Sequence, residues 1–258
     1  MSEPSLNLKE RTTVITGPLT NLTQNIASLF SQHGSDVVFI DKNYDTCQRM
    51  ANVINDQREI NEKFGRASAV KCDFSTAKIC QEALSQAAQT FGSIDIYIDA
   101  LFGTQLAPIK SEKSLNTFDE LINSELKPSF YFSHQVINYL KNRKRGRLVF
   151  LITEPSASGS SIDTTHSLLR GGLSAFAKSL SLELCDQSTT INVVELGPTE
   201  EYLLHHFPEC GSVKESLEKM KKLHPQAKLV NSETVSGTLL FLCSSLGSSI
   251  NGQTLTLL

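Results

Sequence analysis

No two of the six cysteines, Cys47, Cys72, Cys80, Cys185, Cys210 and Cys243, stand in a C-x-x-C pair. Their wide spacing argues against a zinc site and against a disulfide scaffold, so they read as reduced, mostly buried thiols. No apolar run reaches the roughly eighteen residues of a membrane-spanning helix. The opening residues MSEPSLNLKER lack the apolar core of a signal peptide, so a cytoplasmic location with no membrane contact is expected. An excess of positive charge is missing too: a net charge of −3 and a pI near 6.1 give no general attraction for nucleic acid. The one basic run, KNRKRGR from Lys141 to Arg147, reads as a solvated helix end, where basic side chains complement the negative terminus and Gly146 stops the helix. His205, His206 and His224 have no carboxylate at metal-ligand spacing and read as surface residues.

What remains is an ordinary globular composition, 258 residues at 40% hydrophobic, sufficient for one large core. Short apolar runs alternate with longer amphipathic ones. Strands are predicted at Thr12–Thr16, Asp36–Ile40, Ala67–Cys72, Ile94–Ile98, Leu148–Ile152, Thr190–Leu196 and Gly252–Leu258. Helices are expected after Gly17–Thr23 and at Tyr44–Phe64, Ser75–Thr90, Phe118–Leu140, Asp163–Leu184 and Ser232–Ser244. Lys127-Pro128 should kink or restart the helix that contains it. The pattern is that of a single α/β domain over 1–258: a three-layer, doubly wound parallel sheet of about seven strands.

The chain is organised around LVFLITEPSASGSSIDTTHSLLRGGLSAFAKSLSLEL, Leu148 to Leu184. Five consecutive apolar residues read as a strand buried on both faces, and Thr153 stands at its carboxyl end. Ligands of open parallel sheets bind outside those carboxyl ends, which directs attention to Thr153 and to His166 and Arg170 on the following helix.

This stretch resembles the short-chain dehydrogenase/reductase family, in which such a strand ends in a catalytic Ser and the next helix carries Tyr-x-x-x-Lys. On that resemblance Thr153 takes the Ser place, His166, thirteen residues on, the Tyr place, and Arg170 the Lys place. None of the five tyrosines lies near this helix start. A permanent cation at Arg170 disfavours the charged form of His166, making it a base more readily than an acid. Arg in the Lys place is also similar to the halohydrin dehalogenases, relatives that lost the nucleotide and use its space for halide.

The resemblance implies a dinucleotide at Gly17–Thr23, where the family has T-G-x-x-x-G-x-G. Thr16 and Gly17 fit, whereas Asn21 and Thr23 stand in the places of the later glycines. The spacing Gly17 to Thr23 also resembles the Gly-x-x-x-x-x-Ser loop of enoyl-carrier-protein reductases, in which the hydroxyl meets a phosphate. A plain helix cap by Thr20 or Asn21 accounts for the same residues. Asp41, ending the second strand twenty-four residues after Gly17, matches the ribose ligand that selects NAD over NADP. Asp73 matches an adenine contact, with helix capping as its alternative. Asn-Asn-Ala-Gly is replaced by Asp99-Ala100-Leu101-Phe102, Glu125 falls near a structural Asn, and Gly197-Pro198-Thr199 resembles the turn that cradles nicotinamide. Residues 200–225 correspond to the variable substrate lid, 1–10 form a tail, and the helices Phe118–Leu140 and Asp163–Leu184 imply a homodimer or homotetramer.

Three functions follow: a noncatalytic family member lacking the standard redox activity, an atypical NAD-dependent carbonyl/alcohol oxidoreductase using His166, or a cofactor-free lyase of dehalogenase type.

Overall fold

A computed structural model of the chain describes residues 5–101, 109–112, 114–141, 143, 145–153, 164–185, 188–223 and 227–257. Seven parallel strands form one sheet in the order β3-β2-β1-β4-β5-β6-β7. They are β1 Thr12–Thr16, β2 Asp36–Asp41, β3 Ala67–Lys71, β4 Ile96–Asp99, β5 Arg147–Thr153, β6 Thr190–Leu196 and β7 Thr254–Leu257. Every residue of β1, β4, β5 and β6 is buried, as runs of β-branched and apolar residues covered on both faces require. The strand order reverses between β1 and β4, which opens a crevice at their carboxyl ends.

Helices cover both faces. One layer holds α1 (Asn21–Gln32), α2 (Tyr44–Ile60) and α9 (Ser232–Cys243), whose Ile26, Phe30, Ile54 and Leu239 pack on Ile15, Phe39 and Val149. The other holds α3 (Ala77–Phe91), α5 (Lys127–Leu140) and α6 (Thr164–Glu183), whose Leu84, Phe132, Val136 and Leu173 pack on Val14, Tyr97 and Phe150. Residues 200–223 contribute α7 (Glu200–His206) and α8 (Val213–Leu223). Tyr202, Leu203, Phe207 and Met220 give this pair a small core of its own. The side chains of His205 and His206, and all of His224, Phe102, Asp163 and Leu258, lie outside the described residues. Among those described, no helix is long and apolar enough to cross a membrane.

Two places depart from the sequence reading. The helix expected at Phe118–Leu140 begins earlier, as α4 (Ser114–Leu121), and passes through a π-helical turn at Ile122–Leu126 before α5. The cause is Pro128, which has no N–H to donate and crowds the turn before it. The N–H of Lys127 consequently reaches back five residues to Ile122 O, and the widened turn carries Glu125 into the interior.

The second departure corrects the basic run. Arg147 is not part of a solvated helix end: it opens β5 and is among the largest fully buried side chains. Its Nη1 donates to Gly146 O at 2.8 Å and its Nη2 to Ser244 O at 3.3 Å. Arg11 lies beside it, donating to the carbonyls of Cys243, Arg145 and Asp95. Burial lowers both guanidinium pKa values, that of Arg11 to about 10.

Candidate active-site crevice

The turn after β1 is built around Gly17, whose φ of +115° suits glycine and whose Cβ, if present, would run into the Ala100 carbonyl. Close approach of these two backbones leaves no room for another residue. The chain then enters α1 through a reciprocal cap. Thr20 Oγ1 accepts from Thr23 N at 3.3 Å, and Thr23 Oγ1 accepts from Thr20 N at 2.8 Å. Thr23 Oγ1 also lies 3.0 Å from Pro18 O, and the residue is buried. Thr23 therefore faces inward as part of a capping box with Thr20 as the N-cap.

Asp41 stands at the tip of β2, largely buried, its Oδ1 accepting from Asn43 N at 2.8 Å. Burial raises its pKa above the usual carboxylate range, against the backbone N–H groups of Asn43 and Lys42. Asp73 follows β3 in an exposed turn, where Ser75 N and Oγ donate to its Oδ1 at 2.9 and 2.7 Å and hold its pKa low. It does not cap α3; Thr76 does. A cleft of about 470 Å³ opens where the N-termini of α1 and α9 meet the turn after β6, lined by Asn21, Leu22, Thr199, Val230, Asn231 and Ser232 among others. Gly17, Asp41 and this cleft suit a dinucleotide running along the carboxyl edge, with the glycine for close approach and the aspartate for a ribose.

On the other side of the switch point, the three residues expected at the crevice come together. Arg170 Nη2 lies 3.3 Å from Thr153 Oγ1, and His166 sits one helical turn before Arg170 on α6. A residue not foreseen as its partner joins them: Glu125 Oε1 is 3.6 Å from His166 Nε2, in ion-pair range and just beyond a formed hydrogen bond. His166, Arg170 and Glu125 are 1%, 3% and 4% exposed. The sequence signal for Glu125 was Pro128, which perturbs the turn that carries it.

Asp99, at the end of β4, is the second buried acid of this group. Its Oδ1 accepts from Leu101 N at 3.0 Å, while Oδ2 has no hydrogen-bond partner among the described residues. Ser129 Oγ faces it without closing a well-formed bond. Burial, reinforced by the charge of Glu125, pushes the Asp99 pKa up to about 7, against the Leu101 N–H and the Ser129 hydroxyl. Tyr97, two residues earlier, is committed to Thr16 Oγ1 at 2.8 Å and stacks on Phe132 in the core. Among the described residues no group of three His, Cys, Asp or Glu could hold a metal ion.

Residues 19–257 match the family model described as Enoyl-(Acyl carrier protein) reductase. The chain is 25% identical to NADPH-dependent aldehyde reductase 2, chloroplastic, of Arabidopsis thaliana, over 98% of its own length and 94% of that protein. It is 23% identical to the 3-oxoacyl-[acyl-carrier-protein] reductase FabG of Aquifex aeolicus, over 96% of each. Among solved structures, the short-chain dehydrogenase/reductase from Serratia marcescens superposes with a TM-score of 0.81 at 19% identity, covering 97% of both chains. With the sheet order, the crevice and the match along nearly its whole length in place, the chain belongs to the short-chain dehydrogenase/reductase family.

Proposed function

We propose that this chain is a family member that does not perform the standard Tyr/Lys hydride transfer and acts as a noncatalytic subunit or scaffold. One observation carries the reading. At the end of β5 and the start of α6, where a phenol and an ammonium would meet a carbonyl, the chain places an imidazole and a guanidinium. Both are buried, one near Glu125 and the other against Thr153. A phenol lends its proton to a developing alkoxide, and a lysine lowers the phenol pKa while holding the nicotinamide ribose. Arg170, directed at Thr153, supports neither role in its usual form.

A second reading has support from the β1–β2 side. Gly17 keeps the left-handed backbone and close approach that a pyrophosphate needs, and Asp41 keeps a carboxylate at a strand tip. If NAD is held there, its nicotinamide supplies hydride exchange with a carbonyl/alcohol couple, and His166 is this chain's proton carrier with Thr153 orienting the oxygen. Titration with NADH and NADPH, followed by cofactor fluorescence and melting temperature, separates the two readings, because a ligand bound only by the native state raises stability. No saturation with either nucleotide is the expected result. Saturable NADH binding that disappears in Asp41→Ala would replace the first reading by the second. Halide release from a haloalcohol without nucleotide would replace both by the lyase.

The scaffold reading also calls for a partner surface, which the proposal assigns to a second copy of this chain. Phe130 on α5 and Leu168 and Leu182 on α6 are 52%, 62% and 70% exposed. Phe130 packs on Phe176 of α6 with ring centroids 5.7 Å apart, which makes the two helices one apolar surface. A homodimer or tetramer by light scattering, dissociated by Leu182→Asp, is the expected outcome.

A further inference from the structure

We propose that Glu125 is the positioning residue of His166: a buried carboxylate that holds the Nε2 proton of the ring and raises its basicity. Three observations carry this. The two side chains are brought together by unrelated parts of the fold, a π turn forced by Pro128 and the first turn of α6, and approach to 3.6 Å. Both are almost wholly removed from water, where an opposite charge acts through little screening. Glu125 Oε1 has no hydrogen bond among the described residues, the imidazole Nε2 is a donor close to it, and a shift of about 0.4 Å brings the two inside hydrogen-bond range.

Of the groups around the pair, Arg170, one turn away on the same helix, opposes the imidazolium by its charge, while its Nη2 is directed to Thr153 of β5. Ser129 of α5 faces Asp99 of β4, whose proton affinity is raised by burial and further by the charge of Glu125. A carboxylate that orients an imidazole fixes which nitrogen is protonated and favours the imidazolium. This goes beyond the scaffold reading; its use in proton transfer rests on the second reading, while the pairing itself stands apart from either.

The test is histidine-selective ¹⁵N NMR of the full chain across a pH series, with the signal assigned by His166→Asn. In the wild-type protein the neutral ring is expected as the Nε2–H form. In Glu125→Gln the titration midpoint is expected to fall by at least about one pH unit, a tenfold loss of proton affinity. Glu125→Asp, which keeps the charge but retracts it, should give an intermediate fall and serves if the glutamine variant does not fold. Asp99→Asn should leave the tautomer unchanged. An Nδ1–H ring in the wild type, or a midpoint unmoved in both Glu125 variants, would overturn the proposal. NADH titration of the same samples decides the function reading independently.

Discussion

At the amino edge of the sheet, Arg11 and Arg147 are buried among carbonyl oxygens; at the carboxyl edge, Asp99, Glu125, His166 and Arg170 are buried among one another. The first group is met almost atom for atom. Both guanidiniums donate to the end of α9, at the carbonyls of Cys243 and Ser244, where a cation complements the helix terminus. Asp95 nearby takes Thr12 N at 3.0 Å, Ser93 Oγ at 2.8 Å and Arg143 Nε at 3.2 Å. The two Nε atoms and Thr190 Oγ1, opposite Arg147 in the sheet, are the atoms there that lack a partner among the described residues. At the other edge one oxygen each of Asp99 and Glu125 has no hydrogen bond among those residues. Burial of charge is thus common to both edges and marks neither as a site. The difference lies in satisfaction, and unmet buried acceptors that surround the crevice of the fold are the more informative feature.

The comparison breaks most directly at Arg147. If the amino edge is purely structural, Arg147→Ala leaves a cavity and strips donors from two carbonyls, at a cost of roughly 3–5 kcal/mol. Urea denaturation measures this. A loss below about 1 kcal/mol would mean that the buried arginine is not holding α9 to the sheet.

Asp99 should respond in the opposite direction. Its carboxyl pKa is raised to about 7 in the folded chain from an ordinary 3.8, so between those values the native state holds a proton that the unfolded chain has released. Stability therefore falls as pH rises through this window and levels off above it. Asp99→Asn keeps an acceptor for Leu101 N and removes the titration. The variant should match the wild type near pH 4 and exceed it above pH 7 by up to about 3 kcal/mol. Equal stabilities at both ends of a pH series of denaturant melts would show that Asp99 is better compensated than its surroundings suggest.

These two residues also show where sequence reading succeeds and stops. The strands were legible because four to seven apolar or β-branched residues in a row have few other ways to be covered, and Thr153 followed from the end of one of them. His166 and Arg170 were legible as a pair through their place after Thr153, where the family resemblance puts Tyr-x-x-x-Lys; the one-turn spacing alone would not have singled them out. Arg147 was misread because a run of basic residues does not disclose which member begins the next strand; its position one residue before Leu148 was the available clue. Glu125 was matched to an asparagine position, but its meeting with His166 depends on an added residue in one helical turn, which Pro128 hints at without fixing. Asp99 read as one changed residue in a changed turn, since its unmet oxygen is a property of packing.

Thr23 sharpens the same distinction at the smallest scale. Its hydroxyl is fully engaged within the cap of α1, which places it with the satisfied amino-edge arginines although it lies at the crevice. Thr23→Ala should lower stability by about 1 kcal/mol, the usual loss for one side of a helix cap, and Thr23→Ser should restore most of it. Neither should alter whatever affinity the chain has for NADH. A roughly tenfold loss of NADH affinity in Thr23→Ala with an unchanged melt would put the hydroxyl on a phosphate instead. Thr20 would then have to cap α1 alone.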